Sequence, residues 1–222
     1  MREGGEQVRA RPAAVGAGLA VLGLGAALVF AWLGEAVLER RQVPLDAGAA
    51  QPLPGTSSPA LEAGMNVVSF LGSAAFLLPC LTVVVVWLLA RRRLQEAVFL
   101  VGAYGGDAAL NYLLKLAFHR ARPELPWSPA RHDFSFPSGH AMNSLAFYLS
   151  LALVTWLVLG RRVGLAVLSG ALLIVLLIGV SRVYLGYHYV SDVLGGYSAG
   201  LLWLIAWAAA LQAFWSLAAR SR

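Results

Sequence analysis

Charge is scarce in this chain. Only 13% of its 222 residues are charged while 59% are apolar, and mean hydropathy is +0.70. A soluble globular domain carries about 25% charged residues, so the composition excludes an ordinary water-soluble fold and indicates an integral membrane protein. Cysteine is reduced to Cys80, which rules out an intramolecular disulfide; within its apolar run it is a small hydrophobe and says nothing about compartment. Metal-binding signatures are also missing: there is no H-E-x2-H, no paired cysteine and no carboxylate cluster. No repeat of fixed period occurs and no second segment is large enough to fold alone, which leaves one domain over 1–222. Acidic residues are outnumbered, giving a net charge of +6 and a pI near 10.0. Nucleic acid is one partner such a balance suggests, but most arginines lie in short clusters beside apolar runs, where they act as topology signals, so no nucleic acid is expected.

What is abundant is long apolar sequence. A bilayer-spanning helix needs about 20 predominantly apolar residues. Six segments qualify, near 13–34, 66–90, 94–118, 140–160, 163–182 and 190–216, which sets the fold class as all-α integral membrane with six transmembrane helices. The first follows Arg2, Arg9 and Arg11, as a signal peptide would. Its apolar stretch exceeds the roughly 7–15 residues of a cleavable one, so it is expected to stay as a span. Residues 35–65 form an outer loop; the Pro-, Gly-, Ala- and Ser-rich part at 44–64 lacks a helical period and reads as a surface loop or shallow interfacial segment. Gly196 and Gly200, four apart, suit the close approach of a neighbouring helix. Six spans place both termini on one side together with Arg91, Arg92, Arg93, Arg161 and Arg162. Lys and Arg mark the cytoplasmic side, so the chain is expected in the cell membrane with cytoplasmic termini.

The ionisable residues that remain gather at the other ends of the spans. One group reads K-x6-R-P (Lys115, Arg122, Pro123), a second P-S-G-H (Pro137, Ser138, Gly139, His140), a third S-R-x5-H-x3-D (Ser181, Arg182, His188, Asp192). The third span closes on the first motif, His140 opens the fourth, Arg182 closes the fifth, and His188 to Asp192 lead into the sixth. All three therefore emerge on the outer face.

His188 and Asp192, four apart at the start of a helix, share a face. A carboxylate on one ring nitrogen fixes the tautomer and leaves the other free to attack; the alternative is an interfacial histidine capping its own helix. Lys115, Arg122 and Arg182 converge on one region, and cations near a bilayer call for an anion. Arginine's fork matches phosphate oxygens and lysine supplies a compact charge, although any one of them alone is equally a residue snorkelling to the headgroups. Ser138 and Gly139 precede an apolar run, and a helix N-terminus offers unpaired N–H groups to an anion. Ser138 either donates to it or caps the helix. His140 suits protonation of a leaving oxygen and later deprotonation of water.

Taken together, these motifs resemble the type 2 phosphatidic acid phosphatase (PAP2) family, membrane lipid phosphatases related to vanadium-dependent haloperoxidases. Every anchor of the three-part pattern is present, and the stretches FSFPSGHAMNS (134–144) and SRVYLGYHYVSDVLGGYSAG (181–200) are similar to small bacterial members acting on phosphatidylglycerol phosphate or undecaprenyl pyrophosphate. The resemblance implies that His188 attacks phosphorus to form a phosphohistidine, that Asp192 orients it and that His140 protonates the leaving group. Lys115, Arg122, Ser138, Gly139 and Arg182 would bind phosphoryl oxygens, with no metal and no cofactor. The substrate would be a membrane lipid phosphate or diphosphate, with phosphatidic acid a further candidate. The same intermediate would equally serve a lipid-to-lipid phosphotransferase, and an anion or lipid transporter would use the charges without chemistry.

Asp107, Asn111 and Lys115 fall at four-residue intervals, so Asp107 or Asn111 either holds Lys115 in place or makes a helix contact without catalytic consequence. His119, Arg120, Arg131 and His132 read as loop or lipid-surface charges, with a second phosphate or headgroup as the alternative. Trp127, Tyr184, Tyr187 and Tyr189 read as interface anchors, or as the lining of a lipid entrance.

Overall fold

The computed structural model describes residues 3–49, 58–124 and 133–220. All regular structure among them is helical: α1 (Glu3–Leu38), α2 (Pro44–Ala49), α3 (Pro59–Phe70), α4 (Ala74–Ala90), α5 (Leu94–Phe118), α6 (Gly139–Leu159), α7 (Arg161–Tyr184) and α8 (Val190–Arg220). Five stretches are long and apolar enough to cross a bilayer, namely Gly16–Leu38 of α1, α5, α6, α7 and Val190–Leu217 of α8. A sixth crossing is made if α3 and α4 count as one span bent by 44°. The chain is thus an all-helical, multi-pass membrane protein.

Three sequence expectations need correction. The segment at 44–64 is not plain loop, because it holds α2 and the start of α3. Ser58 caps α3 through its side chain, accepting from Leu61 N at 3.2 Å, and Pro59 takes the first turn, where no N–H is needed. The span expected as one helix at 66–90 is broken at 71–73. Leu71, whose carbonyl accepts the Tyr148 hydroxyl at 3.0 Å, starts the break, and Ser73 opens α4 with extended backbone. The first helix also continues to Leu38, past its expected end at 34.

α6 lies at the centre, with 44% of its apolar stretch buried against 11% for α1, and it packs on α5, α7 and α8. Its crossing with α8 is close because Gly196 sits under Ser138 O and Gly200 under Met142 O; a Cβ at either position would come within 2.7 and 3.0 Å of those oxygens. The small-residue spacing read from sequence thus marks a true helix contact. α8 meets α5 through Trp203 and Trp207, stacked 6.2 Å apart, whose indole N–H groups donate to Gly102 O and Phe99 O at 3.1 and 3.0 Å. A main core joins Leu77, Leu81 and Leu88 to Phe99, Leu100, Tyr104 and Phe147. A second core of Leu33, Val37 and Phe136, with Phe118 edge-on to Phe136 at 4.8 Å, clamps the segment before α6. That clamp sets where Ser138 begins its helix.

Candidate active site

α7 and α8 are joined by a tight reversal. Gly186 takes a φ of 71°, a left-handed conformation glycine adopts without strain, and the Arg182 carbonyl accepts both Tyr187 N and His188 N, at 3.0 and 3.2 Å. The turn therefore folds His188 back beside the end of α7. His188 is 3% exposed and Asp192 fully buried. His188 Nδ1 lies 3.4 Å from Asp192 Oδ2, as the four-residue spacing predicts. The same carboxylate oxygen accepts Tyr189 N at 2.9 Å and the Ser135 hydroxyl.

The opposite ring nitrogen faces Arg122, whose Nη1 stands 3.2 Å from His188 Nε2 and donates to Tyr187 O at 2.7 Å. An arginine can only donate, so Nε2 carries the lone pair and Nδ1 the proton aimed at Asp192. Burial lowers the His188 pKa to about 4, a shift that Asp192 opposes and that Arg122 and Arg182 reinforce. The imidazole is consequently neutral at neutral pH, with its basic nitrogen turned toward a cation.

Arg122 is itself steered by Asp133, to which Nε and Nη2 donate at 3.0 and 2.6 Å. Lys115, mostly buried, donates to Phe134 O and lies 3.8 Å from the Asp133 carboxylate. Arg182, 3% exposed, donates from Nη1 to Ser69 Oγ at 2.6 Å and lies over the Tyr187 ring at 4.0 Å. Ser138 N donates to Asp192 O at 2.9 Å, which ties the P-S-G-H turn to the start of α8. Ser138 occupies the N-cap position of α6 without a side-chain cap bond, and its buried hydroxyl has no hydrogen-bond partner among the described residues. A Cβ on Gly139 would lie 2.9 Å from Asn111 Oδ1, so glycine is what lets α5 approach here. His140, half-buried on the first turn of α6, sits against the α3–α4 break at Gly72. The eight residues expected to react or to bind phosphate lie at the α7–α8 turn, at the N-terminus of α6 or, for Lys115, against the segment that precedes α6. Among the described residues no three His, Cys, Asp or Glu side chains converge as a metal site would require.

Some secondary expectations fail. Neither Asp107 nor Asn111 holds Lys115: Asn111 donates to Pro137 O at 3.3 Å and so supports the P-S-G-H turn, while both Asp107 oxygens are buried without a partner among the described residues. Arg120 is not a loose surface charge, since it donates to Asp192 Oδ1 at 2.6 Å and to Asp46 Oδ2 at 2.8 Å. Burial works against that charge, but Asp192 and Asp46 outweigh it and hold the Arg120 pKa above its ordinary value. Tyr187 and Tyr189 carry the guanidinium groups of Arg182 and Arg120 on their rings. His119 ends α5 in a left-handed turn and packs edge-on to Phe134. Trp127, Arg131 and His132 lie outside the described residues. Asp46 and Ser135 are the functional neighbours that sequence reasoning missed, as no local pattern marks either.

Fold and site together define a membrane-embedded phosphatase. Residues 96–216, which contain all eight of those residues, match the PAP2 superfamily, and the chain belongs to that family. It is 38% identical over 148 residues to phosphatidylglycerophosphatase B of Bacillus subtilis, covering 65% of this chain and 72% of that protein. Undecaprenyl-diphosphatase BcrC of the same organism is 28% identical over 136 residues, covering 59% and 66% respectively. The crystal structure of the PAP2-type phosphatidylglycerolphosphate phosphatase from Bacillus subtilis superposes with a TM-score of 0.74 at 31% identity, covering 84% of this chain and 94% of the other. That of Aquifex aeolicus LpxE gives 0.59 at 25% identity, covering 76% and 97%.

Proposed function

We propose that this phosphatase hydrolyses a lipid phosphate or diphosphate at the outer face of the cell membrane through a phosphohistidine, the chain acting as a single membrane domain with cytoplasmic termini. The observation that carries the reading is the pairing of His188, with Nδ1 directed at Asp192 and Nε2 at Arg122. Nε2 attacks phosphorus, and the bond to the lipid oxygen breaks as His140 gives that oxygen its proton. Asp192 stabilises the positive charge left on the ring. Water, deprotonated by the now neutral His140, then attacks the phosphohistidine, releasing inorganic phosphate and restoring both histidines. Lys115, Arg122 and Arg182, the Ser138 hydroxyl and the Gly139 N–H at the start of α6 neutralise and orient the phosphoryl oxygens. No metal or cofactor enters any step. The lipid tail stays in the bilayer while its headgroup reaches the polar pocket.

The relatives named for phosphatidylglycerophosphate and undecaprenyl diphosphate support a substrate of one of those two kinds. The test is phosphate release by detergent-purified protein, with excess chelator and no acceptor lipid, on each lipid in turn. Release by wild type, abolished in His188→Ala and severely reduced in a folded His140→Ala, is the expected result. Unchanged turnover in either variant overturns the mechanism, and phosphate transfer only in the presence of an acceptor lipid makes the protein a phosphotransferase.

A further inference from the structure

Two arginines stand two residues apart beside the His188–Asp192 pair and do different work. Arg122 faces the attacking nitrogen of His188. Arg120 is turned the other way. Its Nη1 donates to Asp192 Oδ1 and Ser191 Oγ, both at 2.6 Å, and its Nη2 to Asp46 Oδ2 at 2.8 Å. The guanidinium also lies 4.1 Å over the Tyr189 ring. An arginine committed to two carboxylates and a ring face has little left to offer a phosphate.

Arg120 acts on Asp192 by two routes. The side chain holds Oδ1. The backbone carbonyl accepts Ser135 N at 2.8 Å, and the Ser135 hydroxyl in turn donates to Oδ2, the oxygen that faces His188 Nδ1. Both carboxylate oxygens are thereby referenced to one residue. Asp46 fixes the far end: Oδ1 accepts Ser191 N at 2.9 Å and Oδ2 accepts Ser191 Oγ at 2.6 Å, so α2 is pinned to the first turn of α8. A carboxylate buried beside an imidazole, with no other cation, lowers its energy by rotating away or by drawing a proton onto the ring. An imidazolium cannot attack.

We propose that Arg120 and Asp46 form a positioning clamp that fixes the Asp192 carboxylate and, through it, the attacking geometry of His188; this rests on reading His188 as the nucleophile. Neither clamp residue touches substrate, so the clamp acts on the chemical step and not on phosphate binding.

Full-length Arg120→Gln, Arg120→Lys, Asp46→Asn and the Arg120→Gln/Asp46→Asn double variant in detergent test this by kcat, KM and inhibition by inorganic phosphate. NMR of isotope-labelled histidine, reporting the His188 ring nitrogens, accompanies the kinetics. Arg120→Gln is expected to lose about 10²-fold in kcat, the scale of a misplaced reacting group, with KM and the phosphate inhibition constant unchanged. Arg120→Lys recovers part of the loss, Asp46→Asn loses less than Arg120→Gln, and the double variant is no worse than Arg120→Gln. The His188 resonances move in Arg120→Gln. Wild-type kcat in the folded variants overturns the clamp, as does a loss confined to KM and phosphate inhibition, which would make Arg120 a phosphate ligand. If Arg120→Gln does not fold, Arg120→Lys and Asp46→Asn decide by the same criteria. A wild type inactive on every lipid phosphate sinks the hydrolase reading instead, while the His188 resonances still decide the clamp.

Discussion

A nucleophilic imidazole among cations must satisfy two demands: it has to stay neutral, and the cations that attract its substrate must not cover it for good. Burial meets the first demand for His188 by lowering its pKa to about 4, with Arg122 and Arg182 adding to the shift against Asp192. The sign of the pH dependence follows. Above that value Nε2 keeps its lone pair; below it the ring is imidazolium and cannot attack. The acid limb of kcat/KM due to His188 is therefore expected near pH 4 and not near the ordinary 6.5, and a pH profile of phosphate release checks it. A limb at 6.5 would mean that the ring is solvated in the working enzyme. On the proposed mechanism the second demand falls to Arg122, which keeps bonds to Tyr187 O and Asp133 while it surrenders its contact with Nε2 to an arriving phosphoryl group.

Among the helices, the α6–α8 crossing holds the pocket by bringing the P-S-G-H turn against the start of α8. Gly196→Val is expected to cost about 1–3 kcal/mol by overpacking, since even its Cβ would press on Ser138 O at 2.7 Å. Gly105→Ala, with open space at that position, is the control expected to lose nothing. Unfolding of both in detergent measures the difference, and equal stability would show that the two helices separate freely. The long helices were legible in sequence because a bilayer demands uninterrupted apolar runs. α2 and α3 were not: α2 is six residues held by a carboxylate whose partner is far along the chain, and the Ser58–Pro59 start of α3 is a local signal that lay unused inside a Pro- and Gly-rich stretch. The same contrast runs through the site. His188 and Asp192 declare themselves by a four-residue spacing, and Lys115, Arg122 and Arg182 by standing at the ends of apolar runs. Spacing singled out Arg122 but gave Arg120 no role, since its partners Asp192 and Asp46 lie far along the chain. Asp46 is 145 residues from Ser191, beyond the reach of any periodic argument.

For the whole molecule, the alternation of spans places Glu124 and Arg161 on opposite sides of the membrane. In a Cys80→Ser background, Glu124→Cys is expected to react with a membrane-impermeant maleimide on intact cells, and Arg161→Cys only after permeabilisation. The reverse pattern would put the reaction centre in the cytoplasm. Either way, the centre draws on distant parts of the chain: Asp46 follows the first span, Arg120 comes from the middle, and His188 and Asp192 arrive with the last helix, which packs back on α1. That distribution bears on the timing of synthesis. On the proposed mechanism, a nascent chain stalled between Arg182 and His188 carries the phosphate-binding cations but neither the attacking histidine nor its carboxylate. On that mechanism the ribosome delivers the reactive pair after the cations, so hydrolysis cannot begin on a chain that stops short of the last helix.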